Sequence, residues 1–276
     1  MRKQYRYGTP AYGQHFLHDK NLLAAIVSSA DLTPGEQVVE VGVGTGKLTR
    51  AILDAGATVT GVEIDRSLAE QLEEEFAGEP FRLVRGDILK VPWERILPEN
   101  GRIVLMGNLP YAVSTQIIFK VLEKPERVAR AVFLVQWEVG RRLAAGHGSK
   151  EYGILSVACQ MHGKPVVLRK VPPSVFLPPP KVDSALVRWD VSPEPVYELE
   201  DRQFTRKVIR AAFGKRRKKI VNSLSSGLPE CEKSEINHVL KGMGIPEGAR
   251  AEHVSVEQFA ELSNRLYKIA PEQIHD

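Results

Sequence analysis

Two hydrophobic periods alternate along the first 190 residues. Short apolar runs bounded by turn residues predict strands at 37–41, 58–63, 81–84, 103–106 and 131–135. The first is entered through the turn Thr33-Pro34-Gly35. Between the runs, apolar residues recur at helical spacing over 48–55, 67–76 and 114–122. Strands that alternate with helices predict a parallel sheet covered on both faces. Two later runs, 166–171 and 185–189, are joined by a proline-rich stretch instead of a helix, which predicts an antiparallel pair at one sheet edge. Residues 191–200 contain Pro193 and Pro195 and little apolar periodicity, and read as a linker. Beyond it only helical spacing remains: Phe204, Val208 and Ala212, then Ile236, Val239 and Leu240, then Phe259, Leu262 and Leu266. The pattern therefore predicts an α/β domain over 1–190 and a small helical domain over 201–276.

Composition narrows the class. A chain of 276 residues with 43% apolar residues is neither disordered nor a mini-protein. No run approaches the ~18 apolar residues of a membrane span. The start Met1-Arg2-Lys3-Gln4-Tyr5 has no apolar segment behind it, so no secretory signal is expected. Cys159 and Cys231 lie 72 positions apart without a partner at metal-ligand spacing, which fits a reducing cytoplasm and predicts no metal site. The net charge of +4 is unevenly placed. Residues 201–276 hold 14 basic against 10 acidic residues, and the first 200 hold 24 of each. From Arg202 to Lys219 there are nine basic residues and no acidic one. Either a solvated helix or a nucleic-acid-binding surface produces such a block. Arg206, Lys207 and Arg210, with the run Lys215, Arg216, Arg217, Lys218 and Lys219, are the candidate phosphate contacts.

Four motifs follow strand ends. Glu40-Val41-Gly42-Val43-Gly44-Thr45-Gly46 closes the first strand and opens a helix, where glycines allow a sharp turn and close approach of a ligand. A phosphate-binding loop is excluded, because Val41 stands where its first glycine belongs and Leu48 follows Gly46-Lys47. A dinucleotide fingerprint is excluded too, since the spacing is one residue short. Glu-x-Gly-x-Gly-x-Gly remains, similar to the first motif of S-adenosylmethionine methyltransferases; the competing reading is a tight strand–helix turn. Glu63, 21 residues past Gly42 in Val62-Glu63-Ile64-Asp65, is placed to accept from both hydroxyls of an adenosine ribose, while Asp65 fits a helix cap. In Gly86-Asp87-Ile88 a carboxylate and an apolar side chain suit an adenine ring. The fourth motif is Asn108-Leu109-Pro110-Tyr111. An exocyclic amine on an aromatic base is a poor nucleophile, because its lone pair is delocalised into the ring. The Asn108 oxygen and a backbone carbonyl, that of Leu109, can accept from the amine, and Tyr111 can stack on an extruded base.

With these motifs the chain resembles, nearly end to end, the small-subunit ribosomal RNA adenine N6,N6-dimethyltransferases. The resemblance extends to Gly13-Gln14-His15-Phe16-Leu17, to the segment from Val171 to Ser184 around Phe176-Leu177-Pro178-Pro179-Pro180, and to Ala212-Phe213-Gly214-Lys215-Arg216-Arg217. It implies a Rossmann-like fold with a seven-stranded, mainly parallel sheet. It further implies S-adenosylmethionine as methyl donor, no metal, and as substrate two adjacent adenines near the 3′ end of 16S rRNA in an immature small subunit. By resemblance, His15, Leu17, Gly42, Gly44, Gly46, Glu63, Ile64, Asp87, Ile88 and Asn108 would hold the cofactor. Asn108, Leu109, Pro110 and Tyr111 would act on the base, with Phe176 as a second aromatic face opposite Tyr111. The protein would act as a monomer. His15 stands where the family usually has Asn, and Trp137 where Lys is common. Arg2, Lys3 and Arg6 interleave with Tyr5, Tyr7 and Tyr12, and this N-terminal segment is expected to close over the site. Two rivals share parts of the pattern: a large-subunit adenine methyltransferase of the antibiotic-resistance type, and a non-catalytic assembly or transcription factor on the same fold.

Overall fold

The structure, a computed structural model, describes residues 14–215 and 217–270. The N-terminal segment expected to close over the site, residues 1–13, lies outside the described residues, as does Arg216.

The chain divides into two compact units. The first, up to Gly140 and again from Val166 to Pro193, contains β1 (Phe16–Leu17), α1 (Lys20–Ser29), β2 (Gln37–Val41), α2 (Lys47–Asp54), β3 (Thr58–Glu63), α3 (Arg66–Glu75), β4 (Phe81–Arg85), β5 (Ile103–Asn108), α4 (Ser114–Val121) and β6 (Val128–Gln136). The helix α5 (Trp137–Ala144) begins at its end and α6 (Ile154–Gln160) belongs to the second unit. The first unit resumes with β7 (Val166–Val171), β8 (Phe176–Leu177) and β9 (Ser184–Asp190). The second is completed by α7 (Arg202–Phe213), α8 (Ile220–Gly227), α9 (Lys233–Gly242) and α10 (Val256–Ile269). Among the described residues no helix is long and apolar enough to cross a membrane.

Seven strands form one sheet in the order β4-β3-β2-β5-β6-β9-β7. The pairs from β4 through β6 are parallel, and β9 runs antiparallel to both β6 and β7. The antiparallel edge pair read from the proline-rich connection is thus present. From β2 the chain winds outward to β3 and β4, and then returns to place β5 on the other side of β2. Such a reversal opens a crevice beyond the carboxyl ends of the strands. Gly107 in β5 passes so close to β2 that a Cβ would lie 2.5 Å from the Val41 carbonyl oxygen.

The core of the first unit joins Val38, Val104, Met106, Val132 and Leu134 from the sheet to Leu22, Ile26, Ile52 and Leu72 from helices. The helices start on local signals: Asp19 accepts from Leu22 N at 2.7 Å, and Asp65 accepts from Ser67 N at 2.9 Å, as its expected capping role requires. The second unit's core packs Phe204, Val208, Leu224, Leu240, Phe259 and Leu262 together with Tyr152, Val157 and Met161. Here the structure departs from the single cut near residue 190: residues 141–165 precede β7 in sequence yet belong to the helical core. Nor is the segment 191–200 a loose linker. Val196 N donates to the Met161 carbonyl, and the Asn264 side chain bonds both Glu200 N and the Glu198 carbonyl.

Candidate active site

At the carboxyl ends of β2, β3, β4 and β5 lies a cavity of about 270 Å³. Gly42 and Gly44 form one wall, Glu63 and Ile64 a second, Asp87 and Ile88 a third, and Asn108 through Val113 a fourth; His15 and Phe16 complete it. Residues from four sequence-distant motifs are therefore gathered in one place.

The glycine loop is a run of left-handed turns, with φ of +73° at Gly42, +59° at Gly44 and +72° at Gly46. A side chain there would strain the backbone. Gly44 N donates to Glu63 Oε2 at 2.8 Å, and Asp65 N donates to Glu63 Oε1 at 2.9 Å. Glu63 is 2% exposed, and this desolvation raises its pKa against the opposing pull of those backbone donors. A carboxylate has about four acceptor positions, and the backbone N–H groups of Asp65, Gly44 and Ile64 draw on this one, so Glu63 retains capacity for a further hydroxyl donor. Beneath the loop, Thr49 Oγ1 of α2 donates to Glu40 Oε2 of β2 at 2.5 Å, tying the strand to the helix that the loop joins. Burial pushes the Glu40 pKa up to about 8, with the Glu63 charge adding to it and the Thr49 bond opposing. Asp87 spends one oxygen, Oδ1, on Leu89 N at 3.0 Å. Ile88 is buried in the wall and Ile64 is 45% exposed at its edge.

Asn108 ends β5. Its Nδ2 donates to the His15 carbonyl at 2.7 Å, which fixes the amide's orientation. Its Oδ1 is buried and has no hydrogen-bond partner. A buried acceptor without a donor costs on the order of 1–3 kcal/mol, so an acceptor left open at a cavity wall calls for a donor. Leu109 N donates to the Leu134 carbonyl at 3.0 Å, locking the turn that carries Pro110 and Tyr111. The Tyr111 hydroxyl lies 2.5 Å from Ser184 Oγ, and burial raises its pKa against that bond. The ring facing Tyr111 is that of His15, at 5.5 Å between centroids and 36° between planes. His15 Nδ1 lies 2.8 Å from the Pro178 carbonyl, which holds the imidazole in place.

Three expected contacts do not line the cavity. Phe176 is 1% exposed and belongs to the hydrophobic core, so it is not the second aromatic face opposite Tyr111 in this structure. Leu17, its partner in the β1–β8 pair, is also in the core, and Phe16 takes the cavity position in its stead. Alternate residues of a strand face opposite ways, so one of two neighbours had to turn inward. Gly46 is required by packing: a Cβ would lie 2.7 Å from the Phe76 ring. Ser184, which pins Tyr111, and Glu40 as a tie beneath the loop were not read from the sequence. Both roles depend on contacts between separate segments. Trp137 packs under Lys170, whose Nζ lies 5.5 Å from the ring centroid, and Lys170 pairs with Asp183 at 2.7 Å.

In the second unit, Arg206, Lys207 and Arg210 are exposed on α7, opposite the buried Phe204, Val208 and Ala212, and Lys215, Arg217, Lys218 and Lys219 are exposed after it. Part of the charge is compensated from outside the run: Lys207 pairs with Glu230 at 2.5 Å and Lys219 with Glu247 at 3.3 Å.

Sheet order, glycine loop and strand-tip carboxylate together define a methyltransferase of the Rossmann-like class. Its structural relatives include the 23S rRNA methyltransferase ErmE, 30% identical with a TM-score of 0.70 over 91% of this chain and 99% of that one. A dimethyladenosine transferase from Plasmodium falciparum shares the fold, with a TM-score of 0.76 at 24% identity over 90% of this chain and 96% of that one. The family model for ribosomal RNA adenine dimethylase matches residues 7–268, and the chain belongs to that family. Among its relatives are the ribosomal RNA small subunit methyltransferases A of Alkaliphilus oremlandii, 40% identical over 93% of this chain and 91% of the relative, and of Moorella thermoacetica, 42% identical over 92% and 91%.

Proposed function

We propose that this enzyme transfers methyl groups from S-adenosylmethionine to N6 of two adjacent adenines near the 3′ end of small-subunit rRNA. It would act as a monomer on an immature small subunit in the cytoplasm. The observation that carries the reading is the orphaned Asn108 Oδ1, an acceptor held by the His15 bond and lacking a donor of its own. An adenine amine supplies that donor. Accepting from the amine draws its lone pair out of conjugation and favours the pyramidal nitrogen that methyl transfer needs. The acceptor is preorganised, so no reorganisation is required when charge develops on the nitrogen.

The cavity also fits the donor. Glu63 would accept from a ribose hydroxyl, Asp87 from the adenine amino group, and Ile64 and Ile88 would cover apolar ring surface. The left-handed glycine backbone lets the chain approach the ligand closely. S-adenosylmethionine supplies, when bound, a methyl already activated on a sulfonium. The chain's own residues then have to position the base, with Tyr111 held through Ser184 as the stacking surface and His15 as the ring next to it. Exposed Arg206, Lys207, Arg210, Arg217 and Lys218 would grip rRNA phosphates, contributing position and not base identity.

The relatives called small-subunit methyltransferases favour that substrate over large-subunit rRNA, and the intact Asn108–Tyr111 geometry favours catalysis over a purely binding role. Methyl transfer from labelled S-adenosylmethionine to unmethylated small subunits, compared with protein-free large-subunit rRNA, tests the reading. Label in two adjacent adenines of the small-subunit rRNA is expected. Label confined to the large-subunit RNA, or to neither, would overturn it.

A further inference from the structure

The second unit contains a cavity of about 670 Å³ between α7 and α8. This size is in the range of ~300–1,000 Å³ typical of ligand sites. Its floor exists because the two helices touch at small residues: a Cβ on Gly227 would lie 2.6 Å from the Ala211 Cβ. Arg206, Lys207, Arg210 and Lys215 stand around it, with Ser226 at its edge.

Lys207 and Lys215 are already held in place. Lys207 Nζ is paired with Glu230 at 2.5 Å. Lys215 Nζ donates to Ser226 Oγ at 2.8 Å, while the Ser226 hydroxyl proton is directed to the Asn222 carbonyl at 2.9 Å. Ser226 therefore serves as an acceptor for the ammonium, and Lys215 keeps two protons for another partner. Glu230 offsets the Lys207 charge, and Arg210 and Lys215 keep the notch positive. Four cations collected around one concavity repel each other, and the floor of Ala211 and Gly227 supplies no anion to relieve this. Small residues also leave room for a bulky group to come down between the cations, which a convex basic helix would not.

We infer that this notch is a seat for the RNA backbone, taking a phosphodiester segment in which the phosphates meet Arg206, Arg210 and Lys215 and a ribose rests on Ala211 and Gly227. The inference rests on the reading that the basic stretch grips rRNA, and turns a diffuse charged surface into one built seat with a defined shape. It differs from the grip of Arg217 and Lys218, which follow α7 and do not line the notch.

Shape and charge are separable by substitution. Ser226 is exposed, so Ser226→Trp fills the notch without changing any charge, while Arg210→Glu changes charge with little change of volume. Arg217→Glu with Lys218→Glu alters basic residues outside the notch. Each variant is checked for a wild-type thermal melt, and its binding to small-subunit rRNA is titrated at three salt concentrations. A seat predicts that Ser226→Trp and Arg210→Glu both weaken binding and both reduce the slope of log K against log salt, by about 0.7–0.9 for each phosphate that is no longer engaged. Weaker binding by Arg210→Glu with wild-type binding by Ser226→Trp would reduce the site to bulk charge and overturn the seat. If both bind like wild type and only the Arg217, Lys218 double variant is weakened, the seat is overturned and the grip of the basic stretch stands. If none of the three is weakened, that wider reading fails as well.

Discussion

Replacing Glu40 with glutamine should change how the stability of the first unit depends on pH. Glu40 is 1% exposed, accepts from Thr49, and has its pKa pushed up to about 8, chiefly by burial, from an ordinary 4.5. Between those two values the folded protein keeps a proton that the unfolded chain has released. The folded state then binds more protons than the unfolded one, so stability falls as pH rises, by about 1.4 kcal/mol per unit for a fully shifted group. From about pH 5.5 to about pH 7.5 the loss is roughly 2.7 kcal/mol, and the contribution levels off above about 8. Glutamine copies the neutral acid, still accepting from Thr49 Oγ1, and has nothing to ionise. Glu40→Gln should therefore gain on wild type by that amount across the same window. Urea unfolding followed by tryptophan fluorescence measures it. Trp93, Trp137 and Trp189 are the chain's three tryptophans and all belong to the first unit, so the signal reports the part of the molecule that contains Glu40. Parallel pH profiles for variant and wild type would refute the assignment of a buried, protonated Glu40.

Further outcomes concern the cavity. Asn108→Ala should fold and lose on the order of 10²–10³ in single-turnover methyl transfer, the usual loss for one preorganised polar group; near-normal turnover would dispose of its role on the amine. Glu63→Ala should weaken S-adenosylmethionine binding by roughly 1.5–3 kcal/mol in calorimetry, as for a hydrogen bond to a charged group, and unchanged affinity would leave Glu63 as a brace for the glycine loop. Tyr111→Phe and Ser184→Ala each remove the same 2.5 Å hydrogen bond, so the double variant should be no slower than the worse single one, and additive losses in kcat would show that Ser184 does not act through Tyr111.

Much of the fold was legible in the order of residues. Buried central strands such as Gln37–Val41 and Thr58–Glu63 announce themselves as short apolar runs, and the turn residues at their ends place the helices between. Asp65 as a cap and the buried stripe Phe204, Val208, Ala212 follow from local rules of hydrogen bonding and helical period. The motifs at the strand tips were legible for the same reason: an α/β topology brings the carboxyl ends of β2 to β5 together, so residues there must share a crevice.

What local pattern could not decide was which face a side chain takes and which core a segment joins. Phe16 and Leu17 are adjacent in a two-residue strand, and only pairing with Phe176–Leu177 turns Leu17 and Phe176 into the core and leaves Phe16 at the cavity. Residues 141–165 have helical character that suits either unit, and the packing of Tyr152, Val157 and Met161 against Phe204 and its neighbours settles their place. The unpartnered oxygen of Asn108, the raised pKa of Glu40 and the notch between α7 and α8 are likewise products of tertiary structure. Each depends on what surrounds a group in space: a missing donor, a lack of water, and two helices whose smallest residues meet.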